Sequence, residues 1–135
     1  MKILLLIGLL FFTFHSIKAA RIINQKDSVR TPSDSKMTMP EYKGGTKTMM
    51  IYLNKNIRYP VSAANDNIQG RVGITFLVKQ NGTLTNFKVK KSIRKDLDDE
   101  AIRVIQSMPK WIPGTKDGKP IDITFYLPII FSLKK

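Results

Sequence analysis

The chain has 135 residues, a formal net charge of +13 and no cysteine. That length supports one domain with a modest core, and the missing cysteines exclude a disulfide framework, a lipid-modified cysteine and thiol catalysis. The single histidine, His15, lies in the first apolar run, so histidine-centred triads and His/Cys metal sites are excluded from the folded part.

Met1-Lys2 precede an apolar run from Ile3 to Phe14, and Ala19-Ala20 follow. A basic start, a short apolar centre and small residues at the end predict a signal peptide over residues 1–20. As a helix the run covers about 18 Å, short of a hydrocarbon core of roughly 30 Å. Export to the periplasm is the expectation, with anchoring in the inner membrane if the segment is retained. Removing Lys2 and Lys18 lowers the charge from +13 to +11. On an exported chain such an excess either keeps the domain soluble or meets anionic head groups and acidic proteins; no nucleic acid is expected.

Residues 21–38 are polar, with one proline at Pro32 and no apolar period. They read as a flexible leader to a domain over residues 39–135. Gly44-Gly45 turn the chain, and Thr46 is placed to cap a helix with Met49, Leu53 and Ile57 on its inner face. Tyr59-Pro60 stop that helix, and Val61 to Asn67 allow one short helical turn. Arg71 to Lys79 alternate as a strand, and Asn81-Gly82 is a hairpin signal. The partner strand runs from about Thr83 to Ile93, and its apolar phase changes between Leu84 and Phe87, which predicts a bulge. Asp96 is expected to cap a second helix whose stripe is Leu97, Ala101, Val104, Ile105 and Met108. Pro109 ends it.

Lys119 to Leu133 is apolar at every odd position, which predicts one long strand with a buried face. Pro128 confines that strand to a sheet edge. Helix, strand, strand, helix, strand is an α+β order. A hairpin followed by a crossover helix gives a three-stranded antiparallel sheet of order 2-1-3 with helices on one face. The last strand then lies at the edge, where a partner chain can add to it. Ile121, Asp122, Ile123, Thr124, Phe125, Tyr126 and Leu127 are the candidate binding residues.

The ordered motifs resemble the TonB C-terminal domain family, in the form found in Bacteroidetes-type TonB-like proteins. They are Pro40-Glu41-Tyr42 with Gly44-Gly45, Tyr59-Pro60 with Ala63, and Gly70-Arg71-Val72 with Phe76 and Val78. Gly82, Val89 and Ser92 follow, then Leu97-Asp98 with Ala101. The last are Met108-Pro109-Lys110-Trp111 with Pro113-Gly114, Gly118-Lys119-Pro120-Ile121, and Leu127-Pro128 with Phe131. The resemblance implies a module that takes up the TonB box, a short extended peptide of outer-membrane transporters, and it brings Arg58, Tyr59 and Pro60 near the site. Inner-membrane motor proteins and a second copy of the chain are further candidate partners; no cofactor is implied. Family members reach across the periplasm on an anchor and a long Pro-rich linker. Here a stand-alone periplasmic domain is the expectation, because the leader reaches at most about 50 Å.

Asp96, Asp98, Asp99 and Glu100 lack the spacing and central glycine of a calcium loop and read as first-turn helix charges. Lys88, Lys90, Lys91, Arg94 and Lys95 read as a solvated strand that also guards the other sheet edge. Trp111, between two prolines, reads as a core residue. With no nucleophile–base pair the chain is expected not to be an enzyme. The alternative to peptide capture is an envelope domain that binds acidic surfaces or self-associates.

Overall fold

The computed structural model describes residues 35–134; the expected signal peptide and most of the expected leader lie outside them. In chain order the elements are β1 (Met37–Thr38), α1 (Gly45–Asn56), α2 (Val61–Asn65), β2 (Gly70–Val78), β3 (Leu84–Lys91), α3 (Lys95–Gln106), β4 (Thr115–Lys116), β5 (Lys119–Pro120) and β6 (Ile123–Phe131).

The main sheet has the order β3-β2-β6 and is antiparallel throughout, which is the expected 2-1-3 arrangement. Its inner face is the alternation made visible. Val72, Ile74, Phe76 and Val78 of β2 are fully buried, and Leu127, Ile129 and Phe131 of β6 are nearly so. They meet Leu97, Ala101, Val104 and Ile105, the stripe of α3, which packs across β2 and β3. Met49 and Leu53 of α1 join the same core. Tyr52 Oη donates to the Ser107 carbonyl at 2.7 Å and Arg103 Nη2 to that of Asn56 at 2.9 Å, so the two long helices are cross-tied.

Trp111 is buried between the sheet and Tyr42, which precedes α1, with ring centroids 5.3 Å from Phe76, 5.2 Å from Phe125 and 6.0 Å from Tyr42. Its Nε1 is buried without a partner among the described residues. Its backbone N–H donates to the Gly82 carbonyl at 2.9 Å, which docks the β2–β3 hairpin tip on the core. Gly82 has φ 83° and lies so close that a Cβ would fall 2.1 Å from the Trp111 carbonyl oxygen. Only glycine satisfies both conditions. The hairpin is a three-residue loop closed by Lys79 N–H to the Thr83 carbonyl, with Gly82 in the left-handed position.

The structure departs from the sequence expectations at four places. Gly44, not Thr46, is the N-cap of α1, and no side chain caps it; Thr48 Oγ1 instead donates back to the Gly44 carbonyl at 2.8 Å. Arg94, not Asp96, is the N-cap of α3, while Asp98 reaches back to accept from the Ile93 N–H at 3.1 Å and from the Ser92 hydroxyl. Met37 and Thr38, assigned to the leader, form β1 and pair with β4, which pairs in turn with β5 in a second small sheet. The long last strand is divided at Ile121-Asp122, because β5 belongs to that second sheet and β6 to the main one.

Candidate functional site

β6 pairs with β2 without a register shift over nine positions, from Gly70 opposite Phe131 to Val78 opposite Ile123. Its other edge carries no strand among the described residues. No ionisable residue except Tyr126 stands between Ile123 and Phe131. A proline costs such a strand no ladder bond only where its nitrogen faces the free edge. By the alternation of an antiparallel ladder the backbone groups of Thr124, Tyr126 and Ile130 then face outward with Pro128.

Five of the seven candidate residues lie on this strand: Ile123, Thr124, Phe125, Tyr126 and Leu127. Ile121 and Asp122 do not. The Ile121 N–H donates to the Gly114 carbonyl at 2.9 Å, and Asp122 Oδ1 accepts from the Gln80 N–H at 2.9 Å. Ile121 is therefore tied to the segment that leads into β4, and Asp122 braces the β2–β3 hairpin loop. Tyr126, 48% exposed, folds its ring over Gly73, where a Cβ would lie 2.2 Å from its hydroxyl. The missing side chain at Gly73 is what lets the tyrosine lie flat on the sheet.

Of Arg58, Tyr59 and Pro60, Tyr59 is brought to the opposite end of the strand. The Tyr59 ring meets Phe131 edge-on at 5.7 Å, and its hydroxyl donates to the Ile68 carbonyl. Burial pushes the Tyr59 phenol pKa up. Beside it a cleft of about 280 Å³ opens between Asn54 and Ile57 at the end of α1 and Ile130, Phe131, Ser132 and Lys134. At about 3.3 Å per residue this cleft lies roughly 27 Å from Ile123. Sequence reasoning missed Asn54, Ile57, Ile130 and Lys134 as site residues. The signal available was Ile130, the one aliphatic residue at an even position of an otherwise alternating strand; it is 54% exposed. Arg58 and Pro60 line a different cleft, of about 530 Å³, with Val61, Asp96, Asp99, Glu100 and Arg103.

A family model described as Gram-negative bacterial TonB protein C-terminal matches residues 55–133. The chain belongs to the TonB C-terminal domain family. Solution NMR structures of the TonB C-terminal domain of Helicobacter pylori are similar to it at 26% identity. The one of residues 179–285 has a TM-score of 0.51 and is covered over 80% of its length, against 66% of this chain. The one of residues 194–285 has a TM-score of 0.52 and is covered over 94%, again against 66% of this chain. A search of curated proteins found no match. TonB C-terminal domains are energy-transducing interaction modules of the cell envelope, not enzymes, and they serve TonB-dependent transport across the outer membrane through its transporters.

In this TonB C-terminal domain the ion pairs among the described residues lie on the helix side. Arg94 bridges Asp66 at 2.7 Å and Asp96 at 2.6 Å, Arg103 holds Glu100 at 2.6 Å, and Lys95 meets Asp99 at 2.7 Å. The Arg94 guanidinium holds the Asp96 carboxyl well below the usual carboxylate range. Burial alone would raise Glu100, but the Arg103 guanidinium and the Arg58 N–H outweigh it and the pKa falls. Asp96 and Glu100 of α3 are thus structural partners of arginines, Asp99 of Lys95 and Asp98 of the Ser92 hydroxyl and the Ile93 N–H, and no group of metal-ligating residues occurs among the described residues. No helix among them is long and apolar enough to cross a membrane.

Proposed function

We propose that this domain is a periplasmic module that takes up the TonB box of an outer-membrane transporter by adding the peptide as a fourth strand to β6. The observation that carries the reading is the β6 edge itself: nine residues in unbroken register, free of formal charge and unpaired on the outer side among the described residues. Edges of that kind invite strand addition. The outward backbone groups of Thr124, Tyr126 and Ile130 supply the bonds, each worth roughly 0.5–1.5 kcal/mol net, so the complex is weak and reversible. Pro128 offers a carbonyl but no donor, and it divides the edge into a long segment from Ile123 to Leu127 and a short one beside the Tyr59 cleft.

Amide exchange with and without a TonB-box peptide tests this. Slowed exchange at Thr124, Tyr126 and Ile130 supports the reading, and slowed exchange at Lys88 to Lys91 overturns it. Placement in the periplasm rests on the basic start and short apolar run of residues 1–20. Mass spectrometry of the envelope protein should find an N-terminus near Ala20 or Arg21; a mature chain that begins at Met1 in the inner membrane would overturn cleavage and favour an anchored transducer.

A further inference from the structure

One face of the main sheet is covered by the helices, and the other carries Arg71, Gly73, Thr75 and Leu77 of β2 with Thr124, Tyr126, Pro128 and Ile130 of β6. β3 adds lysines to that open face in a way strand alternation alone does not permit. Thr75 stands opposite Lys88 and Gly73 opposite Lys91, although Lys88 and Lys91 are an odd number apart. The register shift between Gly73 and Ile74 makes this possible, with Lys90 as the extra residue. A second bulge at Asn86, whose φ is 54°, opens a cleft of about 190 Å³ lined by Thr75, Leu77, Asn86, Lys88, Lys90 and Thr124.

The charge on this face is of one sign. β2, β3 and β6 contain no Asp or Glu, and Arg71, Lys88, Lys90 and Lys91 enter no ion pair among the described residues; Asp66, Asp96, Asp99 and Glu100 are paired on the helix side, and Asp122, just before β6, accepts from the Gln80 N–H. Two hydroxyls, one amide and two ammonium groups converge on the cleft, a donor set for the oxygens of a phosphate. The lysines are exposed and sit on flexible stems, with no buried charged group to fix a single small ion. Cations spread over a flat face, with exposed Tyr126 and Ile130 at its rim, match an extended anionic surface with an apolar boundary beneath it.

We propose that the open face of the sheet docks on an anionic phospholipid membrane, with a headgroup phosphate in the Thr75–Asn86–Lys88–Lys90–Thr124 cleft. This binding is distinct from peptide capture at the β6 edge and does not depend on it. With the open face on a membrane, the β6 edge stays accessible from the side.

The test uses the full chain and sedimentation with vesicles of phosphatidylcholine, alone or mixed with phosphatidylglycerol. Subtracting the neutral vesicles removes any binding by the apolar N-terminal run. The anionic lipid should raise binding, and the rise should vanish as salt screens it. Lys88→Gln with Lys90→Gln should reduce the anionic increment about 25-fold, at roughly fivefold per cation, without changing the melting temperature. Lys43→Gln with Lys47→Gln removes the same charge from the turn before α1 and from its first turn and should leave the increment within about twofold. Equal losses in both pairs would reduce the effect to net charge and overturn the site, as would the absence of any anionic increment. Saturable shifts of Thr75 and Thr124 amides by inorganic phosphate alone at sub-millimolar concentration would assign the cleft to a free anion and overturn the membrane. Polyglutamate that binds this face as tightly as the vesicles do would assign it to an acidic protein instead.

Discussion

The two edges of one three-stranded sheet, both free among the described residues, are built in opposite ways. β3 has two register shifts in eight residues and carries Lys88, Lys90 and Lys91. β6 has no shift in nine residues and no formal charge. Bulges and lysines are the usual devices that keep an edge from pairing. They are present on β3 and missing on β6, the edge proposed to take up a transporter peptide. Both strands pair with the same central strand, so the difference lies in their own sequences. On that proposal the binding edge is made by an omission: β6 lacks the bulges and lysines that β3 carries.

The largest way to break the comparison is to remove what both edges share. Trp111 touches Phe76 of β2 and Phe125 of β6 and holds the β2–β3 turn through the Gly82 carbonyl. Trp111→Ala should cost about 3–5 kcal/mol, a large part of the stability of a domain this size. Thermal melting should fall steeply and both edges should lose amide protection together. An unchanged melting temperature with lost peptide binding would move Trp111 from the core to the site.

A smaller change should silence one edge and spare the fold. Thr124→Pro deletes an N–H that faces outward, and the strand geometry already suits proline. Peptide affinity should fall at least about tenfold, which is 1.4 kcal/mol, while the melting temperature barely moves. Thr124→Ala should do much less, because the backbone makes the contact. Titration calorimetry on the two variants separates these outcomes, and similar losses from alanine and proline would assign the contact to the side chain.

The converse change sharpens the comparison from the other side. Lys88→Thr with Lys90→Thr strips like charges from β3 but leaves its bulges. Self-association by sedimentation should rise only a few-fold, since cross-strand pairs are worth roughly 0.2–1 kcal/mol each. A stable dimer from this pair of substitutions would show that charge alone had guarded the edge.

What was legible in the sequence follows the range of the interactions. Period-2 and period-3.6 patterns expose the inner faces of β2, β6 and α3 because burial repeats along the chain itself. Trp111 and the bulge near Asn86 were readable for the same local reason, a phase change or a lone aromatic at a helix end. The break at Ile121-Asp122 was not, because the alternation runs straight through it. What ends the strand is a bond from Asp122 to the Gln80 N–H, 42 residues away. The pairing of Met37 with Lys116 is hidden in the same manner. The extra residue at Lys90 leaves no mark in a run of lysines, so the gathering of Lys88 and Lys91 on one face needed the register. At the candidate site the strand was readable from Ile123 to Leu127. The Tyr59 end, at Phe131, required the packing of the end of α1 beside β6.

The smallest expected effect on either edge is that of acid, and it separates stability from binding. Asp96 and Glu100 both have folded pKa values below their ordinary ones, held there by Arg94 and, against burial, by Arg103. Groups depressed in the folded state contribute stability above their unfolded pKa of about 4, and that contribution is lost as pH falls through the folded values. Stability should thus be flat from pH 7 to 5 and decline below about pH 4. Asp96→Asn and Glu100→Gln should start lower at pH 7 and decline less. Neither β3 nor β6 carries a carboxylate. Affinity at β6 for a TonB-box peptide without acidic residues should therefore stay constant down to the onset of unfolding. A loss of affinity at pH 5, with the melting temperature intact, would mean that the peptide touches the Asp96–Glu100 cleft beside Pro60 and not the free edge of β6 alone.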